Sequence, residues 1–279
     1  MSTFEVKTQT EIDALSLDTS AKGRAYFNDT NGSIVAWDGS NWRAYASDGI
    51  PFAKGSTSAD FDGVDDYISI ADADNLSFGD GSSDSPFSLS AWVKSDTTGG
   101  TRILVKGEGV PQEYAFTVSG GGVPGLSLYD ANYDNRIQIN SSTNFTAGVW
   151  QHWAVTYDGS GSFSNGKIYL NGSAVSTTTA SAGSYTAMHN TSAPLDIGRY
   201  NVTVSGTNHE SFTNGHLDDV AVIAKELSAS EVSAIYNSNL YPTELVSLWR
   251  FEGDANDSKG SNDGTNNGTT DVNNSDVRS

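Results

Sequence analysis

Apolar and polar side chains alternate with a period of two along most of this chain, the pattern of strands with one buried face. Phe87-Ser88-Leu89-Ser90-Ala91-Trp92-Val93-Lys94 is the cleanest stretch, with Phe87, Leu89, Ala91 and Val93 on one side. Shorter runs of the same kind lie at 101–106, 113–118, 125–129, 136–139, 150–157, 167–170, 195–198 and 218–223. Asn171-Gly172 follows the 167–170 run, and this dipeptide accepts the positive φ angles of a two-residue hairpin turn. Residues 229–237 alone predict a full helix: Ser228 is the N-cap, Glu231 closes a capping box, Leu227 staples to Val232, and Val232, Ile235 and Tyr236 form one apolar stripe. Many short alternating strands with one helix predict an all-β fold, a two-sheet antiparallel sandwich.

The first 47 residues read as a separate unit. Extended runs at 23–27, 33–37 and 42–45 are split by the turns Asn28-Asp29-Thr30-Asn31-Gly32 and Asp38-Gly39-Ser40-Asn41, a small N-terminal β-hairpin module preceded by one helical turn at 10–15. Below roughly 50 residues a lone core is marginal, so Tyr26, Trp37, Trp42 and Tyr45 are expected to pack on the main domain or on another chain. Residues 48–58 carry Gly49, Pro51 and Gly55 and read as a linker.

Two acidic dipeptides stand at strand starts. In Asp62-Gly63-Val64-Asp65-Asp66-Tyr67-Ile68-Ser69-Ile70, strict alternation puts Asp66 on the face of Ile68 and Ile70; in Gly215-His216-Leu217-Asp218-Asp219-Val220-Ala221-Val222, Asp218 shares the parity of Val220 and Val222. An ionised carboxylate on a core face needs backbone N–H groups, a basic partner or a hard cation. Oxygen-only ligands suit calcium, so Asp62, Asp65, Asp66, Asp218 and Asp219 are candidate ligands of one structural ion; turn capping by the same aspartates is the competing reading.

Composition narrows the function classes. A net charge of −19 with 15 Lys+Arg repels nucleic acid and anionic lipid. No long apolar run and no basic-then-apolar leader occurs, so neither a membrane span nor a signal peptide is expected. The absence of cysteine removes disulfides, thiolate metal sites and cysteine nucleophiles.

In order along residues 59–237, "FDGVDDYISI", "FSLSAWVKSD", "WQHWAVTYDGS", "KIYLNG", "APLDIGR" and "GHLDDVAVIAKELSASEVSAIYN" resemble successive blocks of the laminin G-like, concanavalin A-like sandwich family. The resemblance implies a jelly roll, frequently with calcium at one edge, that serves in binding glycans or proteins. The stretch 245–265, "LVSLWRFEGDANDSKGSNDGT", looks like the family's opening block but comes last, as in a circularly permuted member; it is expected to supply the missing first strand of a 59–265 domain, in its own chain or in a neighbour's. Residues 266–279 then read as an extended or disordered tail. The segment "GRAYFND…GSIVAWDGSNWRAY" resembles a short module of structural proteins of tailed, especially marine, bacteriophages.

Catalytic patterns are missing. The related glycosidases carry an E-x-D-x-E run on one strand, because alternation then aims the acid and the nucleophile into one cleft; no such run, H-E-x-x-H, P-loop or G-x-S-x-G is present, and no enzyme is expected. His152 reads as structural, and zinc held by His189, His209 and His216 is a minor alternative. Aromatic platforms for a sugar are sought among loop residues Tyr129, Tyr133, Tyr185, Tyr200 and Phe212, against the plainer reading that they seal sheet edges. The expectation is a noncatalytic protein on a tailed-phage virion surface, attached to other virion proteins through residues 1–47, forming a homo-oligomer and adhering to a host-surface glycan. A purely architectural decoration, head-fibre or tail protein is the alternative.

Overall fold

The computed structural model describes residues 5–7, 25–28, 33–37, 42–45, 57–107, 112–130, 134–204 and 207–273, with backbone alone before 57 and at 202–209, 238, 272 and 273. The helical turn expected at 10–15, Tyr133 and residues 274–279 lie outside the described residues. In chain order the strands are β1 (Glu5–Lys7), β2 (Ala25–Asn28), β3 (Ser33–Trp37), β4 (Trp42–Tyr45), β5 (Thr57–Asp62), β6 (Tyr67–Ile70), β7 (Phe87–Ser95), β8 (Arg102–Lys106), β9 (Tyr114–Val118), β10 (Pro124–Tyr129) and β11 (Arg136–Ser141). They continue as β12 (Gln151–Tyr157), β13 (Lys167–Leu170), β14 (Ser173–Val175), β15 (Thr177–Ala182), β16 (Leu195–Ile197), β17 (Arg199–Val204), β18 (Thr207–Phe212) and β19 (Asn214–Ile223). Helix α1 (Ala229–Ser238) precedes β20 (Leu245–Trp249), β21 (Gly264–Asn267) and β22 (Thr270–Asn273). No helix among the described residues is long and apolar enough to cross a membrane.

Strands β1 to β4 form their own four-stranded sheet. β17 and β18 pair as a separate two-stranded ribbon, and the other strands form the two-sheet sandwich that the alternation predicts. Sheet I runs β15-β11-β10-β9-β8-β16-β6-β21, and sheet II runs β14-β13-β12-β7-β19-β5-β22 with β20 also on β19; the pairings within both are antiparallel. Ile68, Ile70, Phe116, Leu126 and Ile139 from sheet I meet Phe61, Leu89, Trp153, Val155 and Trp249 from sheet II in one buried core. Phe78 stacks on Phe87 at 4.5 Å between ring centroids, with Tyr114 tilted against Phe87 and Tyr157 edge-on to it. The buried Tyr114 hydroxyl donates to the Leu76 carbonyl at 2.8 Å, so its polar end costs little.

Helix α1 covers part of sheet II's outer face. Ser228 caps it through the predicted box with Glu231, and Leu227 and Val232 are buried together in the cluster that joins the helix to Ala154, Tyr169, Ala221 and Ile223. Asn239 ends it in the left-handed region at φ 50°.

The C-terminal stretch belongs to both sheets. β20 pairs with the second half of β19, β21 forms an edge on β6, and β22 forms an edge on β5. Trp249, Phe251 and Ala255 enter the core, and the Thr57 hydroxyl donates to the Phe251 carbonyl, so β20 ends where β5 begins. Residues 264–273 therefore supply one edge strand to each sheet, with Gly268-Thr269 crossing between them.

Candidate functional site

β5 delivers Asp62 to the end of sheet II, and the chain reverses at Gly63, whose φ of 79° suits glycine alone; a Cβ there would also stand 2.8 Å from that of Asn214. Asp62 Oδ1 accepts the Val64 and Asp65 amides at 2.8 and 3.3 Å, and Asp66 Oδ2 accepts the Asp62 amide at 2.9 Å. The turn thus brings one carboxylate oxygen each from Asp62, Asp65 and Asp66 to within 4.8 Å of one another. Asp62 and Asp65 are exposed, whereas Asp66 is buried beneath the Gly268 crossing, where a Cβ would lie 1.9 Å from Asp66 Oδ1. Burial pushes the Asp66 carboxyl above its ordinary value; the Asp62 amide opposes this, and the charges of Asp62, Asp65 and Asp60 add to it. Clustered hard oxygens in mutual repulsion fit a calcium ion in chemistry, with Asp62, Asp65 and Asp66 as the residues to hold it.

Asp218 and Asp219 do not join them. Asp62 pairs with Asn214, four residues before Asp218, which sets the two groups roughly 13 Å apart along the strand. Strict alternation also fails here, because the register of β19 against β7 shifts between Asp218 and Ala221. Asp219 is the extra residue, at φ 44°. The bulge puts Leu217, Val220 and Val222 in the inter-sheet core and Asp218, paired with Trp92, on the outer face, reversing the parity expected of it. Asp219 Oδ2 accepts from the Asn239 side chain at 3.1 Å and Oδ1 lies 3.4 Å from Arg250 Nε. Burial raises its carboxyl to about 6 even though Arg250 pulls it down. The Asp219 carboxylate is an internal tie among β19, α1 and the end of β20.

Of the described aromatics expected in loops, only Tyr185 lies in one; Tyr129, Tyr200 and Phe212 belong to β10, β17 and β18, and all four are largely engaged in packing. Tyr129 is buried with Val105 and Ala115, Tyr200 packs on the same patch, and the Arg102 guanidinium sits 5.4 Å from the centre of the Tyr200 ring. Phe212 tilts against Tyr67, whose ring carries the Arg199 guanidinium at 3.7 Å. Tyr185 donates to Asp84 Oδ2 at 2.6 Å, as Tyr157 does, while Oδ1 accepts the Met188 amide. Burial raises the Asp84 carboxyl against those three hydrogen bonds and raises both tyrosine hydroxyls. Glu113 is likewise raised by burial, and Lys106 Nζ, 3.3 Å away, together with the Thr191 amide and hydroxyl on Oε1, partly offsets this. Sequence reasoning missed Asp84, Lys106 and Glu113, since each bonds to residues distant in sequence.

The histidines disperse. His152 is buried beside Trp92 and Tyr236, His189 Nε2 lies 3.1 Å from Asp130 Oδ1, and His216 Nδ1 lies 3.4 Å from Asp60 Oδ1. The His209 side chain is outside the described residues. Among the described residues the metal-capable grouping of three is Asp62, Asp65 and Asp66, so His189 and His216 share no zinc site.

The family model described as the concanavalin A-like lectin/glucanases superfamily matches residues 62–233. Among solved structures, a candidate carbohydrate-binding protein from Bacteroides ovatus superposes with a TM-score of 0.53 at 17% identity, over 94% of this chain and 71% of that one. A heptameric SAP-like pentraxin from Limulus polyphemus is similar at TM-score 0.46 and 17% identity, over 77% and 97%. The CBM40 of Ruminococcus gnavus IT-sialidase, bound to α2,3-sialyllactose, is similar at TM-score 0.45 and 13% identity, over 63% and 97%. At these identities the likeness is one of fold. No curated protein sequence matches this chain significantly.

Proposed function

Because this chain belongs to the concanavalin A-like lectin/glucanases superfamily, we propose that it is a noncatalytic carbohydrate-binding protein, displayed on a tailed-phage virion to adhere to a host-surface glycan. The observation that carries the reading is the reach of that membership, residues 62–233, over strands of both sheets. What favours a binder over a hydrolase is where the perturbed interior carboxylates point. Asp84 faces two tyrosines, Glu113 faces Lys106 and Thr191, and Asp219 faces Arg250 and Asn239; none of these pairs spans a cleft as an acid and a nucleophile must. The virion setting rests on the phage-like pattern of the N-terminal segment, with residues 1–47 as the attachment to other virion proteins. A homo-oligomer would add avidity to weak single-site binding.

Asp62, Asp65 and Asp66 would hold a calcium ion that stiffens the sheet end. At extracellular-type affinities, millimolar calcium stabilises a site by roughly 0.4–1.4 kcal/mol.

The test is binding of the purified protein to host cells and a polysaccharide panel, in 1 mM calcium and again in chelator. Saccharide binding together with a higher melting temperature in calcium is expected. A folded protein that binds isolated capsids or tails but neither cells nor saccharides is an architectural component, and the adhesion reading fails. A melting temperature unmoved by calcium removes the ion.

A further inference from the structure

Helix α1 covers sheet II's outer face over Ala154, Tyr169, Ala221 and Ile223, and the residues beyond the edge of that cover are not a random set. Gln151 pairs with Val93, which brings Trp150 opposite Lys94; Lys94 pairs with His216, His216 with Asp60, and Asp60 with Thr270. One residue from each of five neighbouring chain segments therefore lies in a single row across the sheet, roughly 14 Å from Trp150 to Asp60 at the usual strand spacing. The row behind it is closed, since Tyr236 of α1 lies over Trp92 and His152 at 5.4 and 5.9 Å. The row in front, Asp96, Asn214 and Asp62, is exposed. Trp150, Lys94, His216 and Asp60 are half-buried, and the adjoining Val149 is 52% exposed.

We propose that this open row, floored by Trp150, Lys94, His216 and Asp60, is the site at which the protein binds a neutral saccharide. The proposal rests on the carbohydrate-binding reading above and gives it a location. A pyranose offers a C–H face to an aromatic ring and a rim of hydroxyls that each donate and accept. Trp150 supplies the ring, and its packing on His216, 6.1 Å between centroids and 36° between planes, limits its motion before any ligand arrives. Along the row the polar groups then alternate in kind: the Lys94 ammonium donates, the Asp60 carboxylate accepts, and His216 and the Thr270 hydroxyl do either. His216 Nδ1 lies 3.4 Å from Asp60 Oδ1 but is out of hydrogen-bond alignment, so this pair is not locked into an internal bond.

Charge selects the sugar class. Asp60 in the row and Asp62 and Asp96 in the row in front outnumber the one lysine there, Lys94, on a chain of net charge −19, so uronate, sialate and sulfate groups are repelled. A cationic peptide would be drawn to the rim but would meet Lys94 in the row, between Trp150 and His216.

The full chain would be titrated against arrayed neutral gluco-, galacto- and manno-oligosaccharides, the corresponding oligouronates, and oligolysine. The wild type is expected to bind within the neutral set. Trp150→Ala should lose at least tenfold in affinity and His216→Ala several-fold, while Lys167→Ala, at the far end of the sheet, changes nothing. Melting curves check the fold of each variant; should Trp150→Ala fail to fold, Trp150→Phe and His216→Ala carry the test. Unchanged neutral-sugar binding by folded Trp150 and His216 variants would overturn this site and leave the carbohydrate reading standing. Preference for oligouronates or for oligolysine over neutral sugars would also overturn it. A folded wild type that binds no saccharide at all sinks both.

Discussion

Asp65-Asp66 and Asp218-Asp219 are the same dipeptide, one just before β6 and the other in the middle of β19, and the fold treats them in opposite ways. At the first, three carboxylates are gathered by a glycine turn with no ion pair to them among the described residues, and Asp62 and Asp65 face solvent at the end of sheet II. At the second, a β-bulge turns Asp219 inward to an arginine and an asparagine that arrive from 31 and 20 residues later. The difference teaches that the fate of a carboxylate pair is decided by the third element that packs on it. For Asp66 that element is a glycine crossing, which buries without neutralising; for Asp219 it is Arg250, which does both.

The largest expected effect comes from removing the element that distinguishes them. Arg250→Met leaves the Asp219 carboxylate buried without its arginine, and loss of one partner from a buried pair costs about 3–5 kcal/mol. Urea unfolding at pH 7 measures it, and a loss below 1 kcal/mol would mean that Asp219 is not held by its arginine.

A smaller effect follows from pH. The Asp219 carboxyl is raised from 3.8 to about 6, so between those values the native protein keeps a proton that the unfolded chain has released. Its contribution is therefore fullest below about pH 4 and falls as pH rises through 6, by on the order of 3 kcal/mol. Asp66, Asp84 and Glu113 are raised as well and tilt the profile the same way. The wild type should melt higher at pH 5 than at pH 7.5, and Asp219→Asn should flatten the slope. A profile that climbs from pH 5 to 7.5 contradicts the assignment.

At the acidic turn the expected loss is smaller again. Gly268→Ala forces a Cβ to 1.9 Å from Asp66 Oδ1 at a backbone φ of 98°, for a cost of about 1–3 kcal/mol. Asp66→Ala in the same background should recover part of it, and no recovery would place the strain in the backbone alone.

The core was legible from period-two alternation because both sheets are apolar inward. Phe87, Leu89, Ala91 and Val93 all face the inter-sheet core as their parity predicts, and the capping box of α1 forms as its spacing predicts. Asp66 is buried on the side its parity with Ile68 and Ile70 indicates. Alternation misled at Asp218, because one inserted residue inverts every later side chain and the sequence does not mark a bulge. Trp150 was hidden differently. It shares parity with His152 rather than with the buried Trp153, but parity names a face and does not say which part of that face a helix will cover. Of the hairpin β17–β18, β17 does alternate, through Tyr200, Val202 and Val204, but its partner β18 carries a single apolar residue, Phe212, and offers no contrast by which to read the pair.

The two edge strands contributed by residues 264–273 also set an order of events in time. During synthesis the chain leaves the ribosome from its N-terminus, so β5 and β6 emerge early and wait for partners more than 190 residues downstream, while Trp249 and Phe251 reach the core only near the end. Until then both sheets present an unpaired margin and the interior lacks one wall. Closure of the sandwich is thus a late, long-range event, slow by its contact order and exposed to strand exchange with a neighbouring nascent chain.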